Sequence, residues 1–323
     1  MGIDELLKKV ASRDPIKELK KRYIQYGQEI GGYKIGQVLD TGGFAEVRDA
    51  KHLESGDNVV LKYPKPEYFI IDEKAANARF ENEARTLSEL HHPNIVKGYH
   101  PFKWKGIQYI ATECADLPLL SYFGYEINIQ DVYKFLRQAT SAINHSHQKG
   151  IIHCDIKLDN FRVNLDGTYK LMDFGGAGMI GEKVPFVSIS KFYFPRKLIL
   201  QDNPQITADP VIDIYGLGKT AARIMLSFID LKETSIDDIM KKNNDEEILE
   251  RMRQSMLPEY LISGVIGKCL DAPNLGFGAD ELEDRLSMLN VLYIAKRIKK
   301  VTVTKDIFTG RLLGQRAIYG RGL

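Results

Sequence analysis

The spacing of three polar residues in the middle of this chain most constrains its fold. Asp155 and Asn160 lie in the segment 153–160, and Asp173 follows thirteen positions after Asn160. The residues between them read as two short strands around the turn at Asp166 and Gly167, which predicts a β-hairpin. A hairpin of this length would return Asp173 to the side of Asn160. The fold must therefore bring three oxygen-bearing side chains together.

Such a group suits a hard cation with a proton acceptor beside it. Mg²⁺ prefers oxygen ligands, and a neighbouring carboxylate can accept a proton from a hydroxyl group. In order and spacing, segment 153–160 and the run Asp173-Phe174-Gly175 resemble the catalytic loop and the metal-binding loop of eukaryotic-type protein kinases. The resemblance implies that Asp155 is the catalytic base and that Asn160 and Asp173 bind Mg²⁺.

A second similarity lies upstream, in residues 35–47. Apolar residues flank a glycine turn there, as in the glycine-rich loop that covers the ATP phosphates with backbone N–H groups. The family pattern has glycine at the three positions that Asp40, Gly42 and Ala45 occupy in this chain, so only Gly42 agrees with the pattern. The resemblance implies ATP contacts for three residues of this segment: Gly42, Gly43 and Val47.

The run Val59-Val60-Leu61-Lys62 resembles the family's V-A-I-K strand. A helix is predicted over residues 73–90, where Phe80, Ala84 and Leu87 recur at helical spacing. Glu83 falls on the same apolar face, and a buried carboxylate needs a cation. The resemblance implies that Lys62 is this cation and that it holds the ATP phosphates.

Residues 108–115 are predicted to form a buried strand that runs into a connector. The resemblance makes Thr112 the gatekeeper and implies that the backbones of Glu113 and Ala115 bind the adenine edge. Val60 is bulkier than the usual alanine and would narrow the adenine site. Arg162 stands where the family has an apolar residue under adenine, so its guanidinium would stack on the base or turn away.

Other residues bear on the acceptor and on regulation. Lys157 matches the D-x-K-x-x-N pattern of serine/threonine kinases, where the resemblance implies a lysine that reaches the γ-phosphate. Cys154 replaces the usual arginine before the catalytic aspartate, which implies a non-RD kinase without the basic pocket for an activation-loop phosphate. Arg196 replaces the glutamate that normally pairs with a late arginine, here Arg285.

The expected activity is therefore ATP- and Mg²⁺-dependent phosphoryl transfer to serine or threonine hydroxyls of a protein substrate. The alternative is a pseudokinase that acts as a binding or scaffolding module. Pseudokinases typically lose at least one of the five polar residues, whereas this chain keeps Lys62, Glu83, Asp155, Asn160 and Asp173. A third reading, a small-molecule kinase, is disfavoured by Lys157.

The predicted fold is α+β and bilobal, a natural use of 323 residues with 44% hydrophobic content. Residues 1–32 form an N-terminal helical extension, 33–115 a β-rich N-lobe with one helix, 116–298 a mostly helical C-lobe and 299–323 a basic C-terminal tail. Within the extension, four apolar residues at near-helical spacing predict an amphipathic helix packed on the small lobe: Ile16, Leu19, Tyr23 and Ile30. A membrane-surface or partner-binding helix is the alternative.

Composition limits the compartment and the partners. Three scattered cysteines without CxxC spacing (Cys114, Cys154 and Cys269) indicate a reducing compartment and neither a disulfide framework nor a zinc site. No apolar run reaches membrane-spanning length, so a soluble cytoplasmic protein is expected. Residues 296–323 carry eight Lys or Arg residues against one acidic residue. A solvated or docked tail, open to a regulatory partner, is favoured there over contact with nucleic acid or anionic lipid.

Overall fold

The computed structural model describes residues 14–119, 129–184, 191–195, 198, 206–227, 235–242, 244–254, 259–276 and 278–288. These residues form two compact units that divide after Cys114, except that His92–Ile95 belongs to the second unit. The first unit is rich in β-strands and the second is mostly helical, which confirms the predicted α+β class. The division lies next to the predicted lobe boundary, and the full extents of the four predicted regions stay predictions.

The first unit is built on a sheet of six strands. They are β1 (Glu29–Ile30), β2 (Tyr33–Thr41), β3 (Ala45–His52), β4 (Asn58–Pro64), β5 (Phe102–Trp104) and β6 (Ile107–Glu113). The spatial order is β1-β2-β3-β4-β6-β5, and neighbouring strands are antiparallel. Gly31 and Gly32 turn the chain from β1 into β2 with φ values of 64° and 87°, which glycine adopts without a steric penalty.

One face of this sheet carries the hydrophobic core of the unit. Side chains alternate between the faces of a strand, and in β4 the core side takes Val59, Leu61 and Tyr63, all at most 1% exposed. The residues between them, Val60 and Lys62, lie on the opposite face. The sheet therefore separates its structural face from a face that is available for binding.

Among the described residues of this unit, three helices accompany the sheet: α1 (Asp14–Lys20), α2 (Pro66–Ile71) and α3 (Glu73–Glu89). The bounds of α3 agree with the helix predicted over residues 73–90. Asp72 caps its first turn, because the Asp72 side chain accepts a hydrogen bond from Ala75 N at 2.8 Å. Phe80 and Leu87 are buried, and so is Glu83 between them.

Helix α2 adds to the one helix that was expected in the N-lobe. Pro66 stands in its first turn, where the missing N–H is not needed. Phe69 is 2% exposed and joins the core of the first unit. The helix has six residues, too few to show an apolar period in the sequence.

The helix in the N-terminal extension is shorter than the spacing of the apolar residues predicted. Helix α1 ends at Lys20, and Ile30 lies in β1 rather than on a helix. The prediction of packing on the small lobe is confirmed, because Leu19, Tyr23 and Ile24 belong to the core of the first unit. The residues after Lys20 thus contribute to packing without continuing the helix.

Helices make up most of the second unit. They are α4 (Ile129–Gln148), α5 (Pro210–Leu226), α6 (Ile236–Lys242), α7 (Asp245–Arg253), α8 (Glu259–Leu261), α9 (Gly267–Leu270), α10 (Ala272–Leu275) and α11 (Ala279–Met288). A π-helical segment, Ile262–Ile266, joins α8 to α9. Apolar residues at helical spacing in the sequence predict a helix from Ile129 to about Lys149, and the bounds of α4 agree with this prediction. Asp209 caps the almost wholly buried α5 by accepting a hydrogen bond from Val211 N at 2.9 Å.

The described part of the second unit also contains five short strands: β7 (Leu117–Pro118), β8 (Ile151–Ile152), β9 (Phe161–Val163), β10 (Tyr169–Leu171) and β11 (Gly178–Met179). They form a three-stranded sheet in the order β10-β9-β7 and a separate β11-β8 pair. Within the part of the chain that the structure describes, no helix is both long enough and apolar enough to cross a membrane.

Candidate active site

The predicted hairpin is confirmed in the second unit. Strands β9 and β10 pair antiparallel, with Phe161 opposite Leu171 and Val163 opposite Tyr169. At the open end Met172 N donates to Asn160 O at 3.0 Å. Asn160 and Asp173 are therefore brought side by side, as their spacing predicted.

Asp155 is oriented by two side chains of its own loop. Its Oδ2 accepts hydrogen bonds from Lys157 Nζ at 2.7 Å and from Asn160 Nδ2 at 3.2 Å. Asn160 Nδ2 also donates to Asp155 O at 2.7 Å. Asp155 Oδ1 is buried and has no hydrogen-bond partner among the described residues. One carboxylate oxygen is thus fixed while the other is left to accept a hydrogen bond from outside the loop.

Asp213, at the start of α5, holds the backbone of the same loop. Its Oδ2 accepts a hydrogen bond from His153 N and its Oδ1 one from Cys154 N, both at 2.8 Å. His147 Nε2 lies 2.8 Å from Asp213 Oδ2. The Asp213 side chain is 0% exposed, so these charge-assisted bonds act in a desolvated setting. The sequence offered a signal for this role, because an aspartate within an apolar helix needs partners.

His153 links the catalytic loop to the residue before Asp173. Asp155 N donates to His153 Nδ1 at 3.3 Å, so Nδ1 acts as an acceptor and the ring hydrogen is on Nε2. His153 Nε2 lies 2.9 Å from Met172 O, to which it then donates. The ring also packs on the buried Phe174 ring, with 4.6 Å between centroids. No role for His153 was predicted from the sequence.

Backbone strain is concentrated at the same place. Cys154 and Asp173 have φ values of 63° and 65°, in the left-handed region that residues other than glycine rarely adopt. Such strain persists only where surrounding contacts enforce it, and it is common at functional sites. Here those contacts include the hydrogen bond from Cys154 N to Asp213.

Cys154 brings no charge to the catalytic loop. Burial raises the pKa of the Cys154 thiol far above its usual value, and the negative charge of Asp213 raises it further. The residue is therefore a neutral thiol at physiological pH. This agrees with the expectation that position 154 offers no basic partner for a phosphate.

The first unit contains a partly buried ion pair on the face of its sheet opposite the core. Lys62 Nζ of β4 lies 3.0 and 2.9 Å from the two carboxylate oxygens of Glu83 on α3. The Glu83 side chain is 4% exposed and the Lys62 side chain 17%. Contacts of Lys62 to both oxygens fix the ammonium group at a defined point above the sheet.

Other predicted nucleotide contacts share this face. Val47 is the cross-strand partner of Lys62, and Val60 is the partner of Thr112. Cross-strand partners point to the same side of a sheet, so these four side chains form one surface. At the end of β6 Glu113 N donates to Lys97 O at 2.9 Å. Ala115 is the first residue after the division between the units.

Gly42 and Gly43 lie exposed between β2 and β3. Neither has a positive φ, and a Cβ built at Gly43 would meet no described atom within 4 Å. At Gly42 the nearest contact would be an ordinary one, 3.6 Å from Ala45 O. The turn itself therefore does not require glycine at either position.

The structure describes only some of the other residues that depart from the family pattern. Arg162 lies half-buried on β9, opposite Pro118 of β7 and Lys170 of β10. Arg285 lies on α11, but its side chain falls outside the described residues, as do Arg196, the terminal segments 1–13 and 289–323, and residues 185–190.

The residues present fit a hard cation. In the described part of the chain no cluster of three or more His, Cys, Asp or Glu residues is arranged to hold a metal ion. The predicted ligands are instead one amide and one carboxylate, which suit Mg²⁺ when substrate phosphates and waters complete the shell. Because Asn160 Nδ2 faces Asp155, the amide oxygen Oδ1 is turned away from that carboxylate, as a metal ligand must be.

Comparison with known proteins covers both units. The family model of the protein kinase domain matches residues 33–272. The hormonally up-regulated neu tumor-associated kinase of Homo sapiens is 26% identical over 264 residues, which are 76% of this chain and 34% of that protein. The CBL-interacting serine/threonine-protein kinase 24 of Arabidopsis thaliana is 25% identical over 228 residues, 68% of this chain and 50% of that protein.

A third relative is the carbon catabolite-derepressing protein kinase of Saccharomyces cerevisiae, 26% identical over 245 residues, 75% of this chain and 37% of that protein. The matches thus span about a third to a half of the length of these relatives. Members of the family generally use ATP and Mg²⁺. Because the family model matches well over half of the sequence, the chain belongs to the protein kinase family.

Proposed function

We propose that this chain is an active serine/threonine protein kinase that transfers the γ-phosphoryl group of ATP to a protein hydroxyl. The observation that carries the proposal is the state of Asp155, with Oδ2 held by Lys157 and Asn160 and with Oδ1 buried and unpartnered among the described residues. A substrate hydroxyl that donates to Oδ1 satisfies this atom. The same contact orients the hydroxyl oxygen for attack and gives its proton an acceptor.

Two groups of residues manage the charge of the phosphates. Lys62, fixed by Glu83, binds the α- and β-phosphates. Asn160 Oδ1 and the Asp173 carboxylate hold Mg²⁺, which neutralises negative charge on the transferred group. Lys157, which donates a hydrogen bond to Asp155, lies beside the base and contacts the γ-phosphate of bound ATP, so it brings the base and the transferred group together.

The adenine ring is placed by β6 and the residues after it. Because Glu113 N already donates to Lys97 O, Glu113 contributes its carbonyl oxygen to the adenine edge, and Ala115 contributes its N–H. Thr112 and Val60 line the sheet face against which the base lies. Val60 narrows this surface relative to the usual alanine, which favours a flat purine over a substituted one.

Support for the acceptor class comes from Lys157, which occupies the position typical of serine/threonine kinases, and from a relative that bears that name. All three cysteines lie in the described part of the chain and none of them forms a disulfide, which supports a reducing compartment.

The test is a transfer assay on the full chain with γ-labelled ATP, Mg²⁺ and a panel of generic protein substrates. We expect label on protein, and phosphoserine and phosphothreonine on mass spectrometry. Phosphotyrosine alone, or a labelled metabolite without labelled protein, contradicts the proposed acceptor class. ATP that binds with equal affinity with and without Mg²⁺, together with no transfer, favours a binding module instead.

A further inference from the structure

The tip of the glycine turn, defined as Gly42, Gly43 and Phe44, is held to the helices of the first unit. Phe44 O accepts a hydrogen bond from Lys65 N at 3.0 Å, just before α2. The Phe44 ring meets the Tyr68 ring of α2 edge-on, with 5.1 Å between centroids and 71° between planes. The Arg79 guanidinium of α3 lies 5.1 Å from the Phe44 ring centroid. Three contacts thus fix one residue of a turn that is otherwise exposed.

Helix α3 also carries Glu83, the partner of Lys62 in the ion pair. Arg79 and Glu83 are four residues apart on α3, so both side chains lie on one side of the helix. Lys65, which bonds to Phe44, follows Lys62 by three positions. A displacement of the turn therefore acts on the elements that carry both members of the ion pair.

Helix α2 is itself braced from the other side. Its Phe69 ring meets the Tyr23 ring edge-on at 6.3 Å, and the Arg22 guanidinium lies 5.6 Å from the Phe69 ring centroid. Arg22 also donates to Lys105 O through Nε at 3.2 Å and Nη2 at 2.7 Å. These contacts, made by residues before the start of the family match, keep Tyr68 in place beneath Phe44.

We propose that Tyr68 and Arg79 are positioning residues for ATP. They hold Phe44 in place. Through Phe44 they position the exposed N–H groups of Gly42 and Gly43 so that these groups can donate hydrogen bonds to the triphosphate of ATP. A turn that is already anchored loses less conformational entropy when nucleotide binds than a free turn does. The inference rests on the proposed function, because it requires that the glycine turn contacts phosphates.

The experiment compares the binding of Mg²⁺·ATP with that of adenosine, which has no phosphates, in the parent, Tyr68→Ala and Arg79→Ala. We expect ATP affinity to fall about three- to ten-fold in each variant, the size of one lost aromatic or cation–π contact, and adenosine affinity to stay within about two-fold. The KM for ATP rises by the same factor, and kcat at saturating ATP falls less. Tyr68→Phe keeps the ring and restores parental ATP affinity.

Tyr26→Ala is the matched control, because Tyr26 is a tyrosine of the same unit that is 70% exposed. Unchanged ATP affinity in Tyr68→Ala and Arg79→Ala overturns the inference, and so does an equal loss for ATP and adenosine, which indicates general damage to the fold. A parent that binds ATP but transfers no phosphate refutes the proposed function and leaves the binding comparison valid. A parent that binds no ATP overturns both.

Discussion

Replacement of Asp213 by asparagine should destabilise the second unit and loosen the loop that carries Asp155. The Asp213 carboxylate is 0% exposed and accepts hydrogen bonds from His153 N and Cys154 N, both at 2.8 Å. Asparagine keeps one acceptor oxygen and turns an N–H₂ group toward the other donor. One buried N–H is then unsatisfied, which costs about 1–3 kcal/mol, and the remaining bond loses its charged acceptor, which costs about 1 kcal/mol. The expected loss in unfolding free energy is therefore about 2–4 kcal/mol.

Activity should suffer in addition to stability. Cys154 has a φ of 63°, a conformation that costs about 1–2 kcal/mol in a residue with a side chain. Without the bond from Cys154 N, the backbone can leave this conformation and carry Asp155 with it. We expect kcat to fall at least about ten-fold at a temperature where the variant is still folded, since even a 1 Å displacement of a reacting group has large effects on rate.

The assay is urea unfolding followed by far-ultraviolet circular dichroism, together with steady-state kinetics. Asp209→Asn is the control, because it removes the same charge from the same helix while asparagine remains an equally good N-cap. We expect this control to stay within about 0.5 kcal/mol of the parent. An Asp213→Asn variant that matches the control in stability and keeps full kcat would refute the reasoning.

Other outcomes follow from the same geometry. Gly43→Ala should leave the melting temperature unchanged, because no described atom lies within 4 Å of the added Cβ. It should weaken ATP binding about ten-fold, because the added methyl group separates the backbone from the phosphates. Equal ATP affinity of variant and parent in titration calorimetry contradicts this role. Asp173→Ala should abolish the Mg²⁺-dependent tightening of ATP binding, and a variant that still binds ATP more tightly with Mg²⁺ removes Asp173 from the metal site. Ser188→Ala/Ser190→Ala should retain most activity, because the neutral Cys154 thiol gives a phosphate no basic partner; loss of activity that acidic residues restore at those sites counts against this expectation.

Local patterns account for what the sequence predicted well. The β9–β10 hairpin follows from two short strands around an Asp-Gly turn, and the count of residues alone places Asp173 beside Asn160. Helix α3 follows from apolar residues at helical spacing. Glu83 on its apolar face demanded a cation, and the structure provides Lys62. In the first two cases residues close in sequence determine the result. In the third, the buried carboxylate indicates that a cation must lie nearby, and the resemblance to protein kinases assigned Lys62 to that role.

Contacts between distant segments account for what was missed. The hydrogen bonds from the His153 and Cys154 N–H groups to Asp213 join residues about sixty positions apart. No sequence pattern near the loop indicates that these bonds form. Residue type also gave no warning of the left-handed backbone at Cys154, because cysteine has no preference for it. The anchoring of Phe44 by α2 could not be predicted for a related reason, because that helix is too short to show a helical period of apolar residues in the sequence.

The central claim is that Asp155 accepts the proton of the attacking hydroxyl, and single-turnover transfer by Asp155→Asn tests it most directly. Asn keeps the shape of the side chain and removes the base, so ATP affinity should stay near the parental value while the transfer rate falls by about 10²–10⁴-fold, the usual effect of losing a general base. Asp166→Asn, in the exposed hairpin turn, is the control and should transfer at the parental rate. Equal transfer rates in Asp155→Asn and the parent would contradict the mechanism proposed for this site.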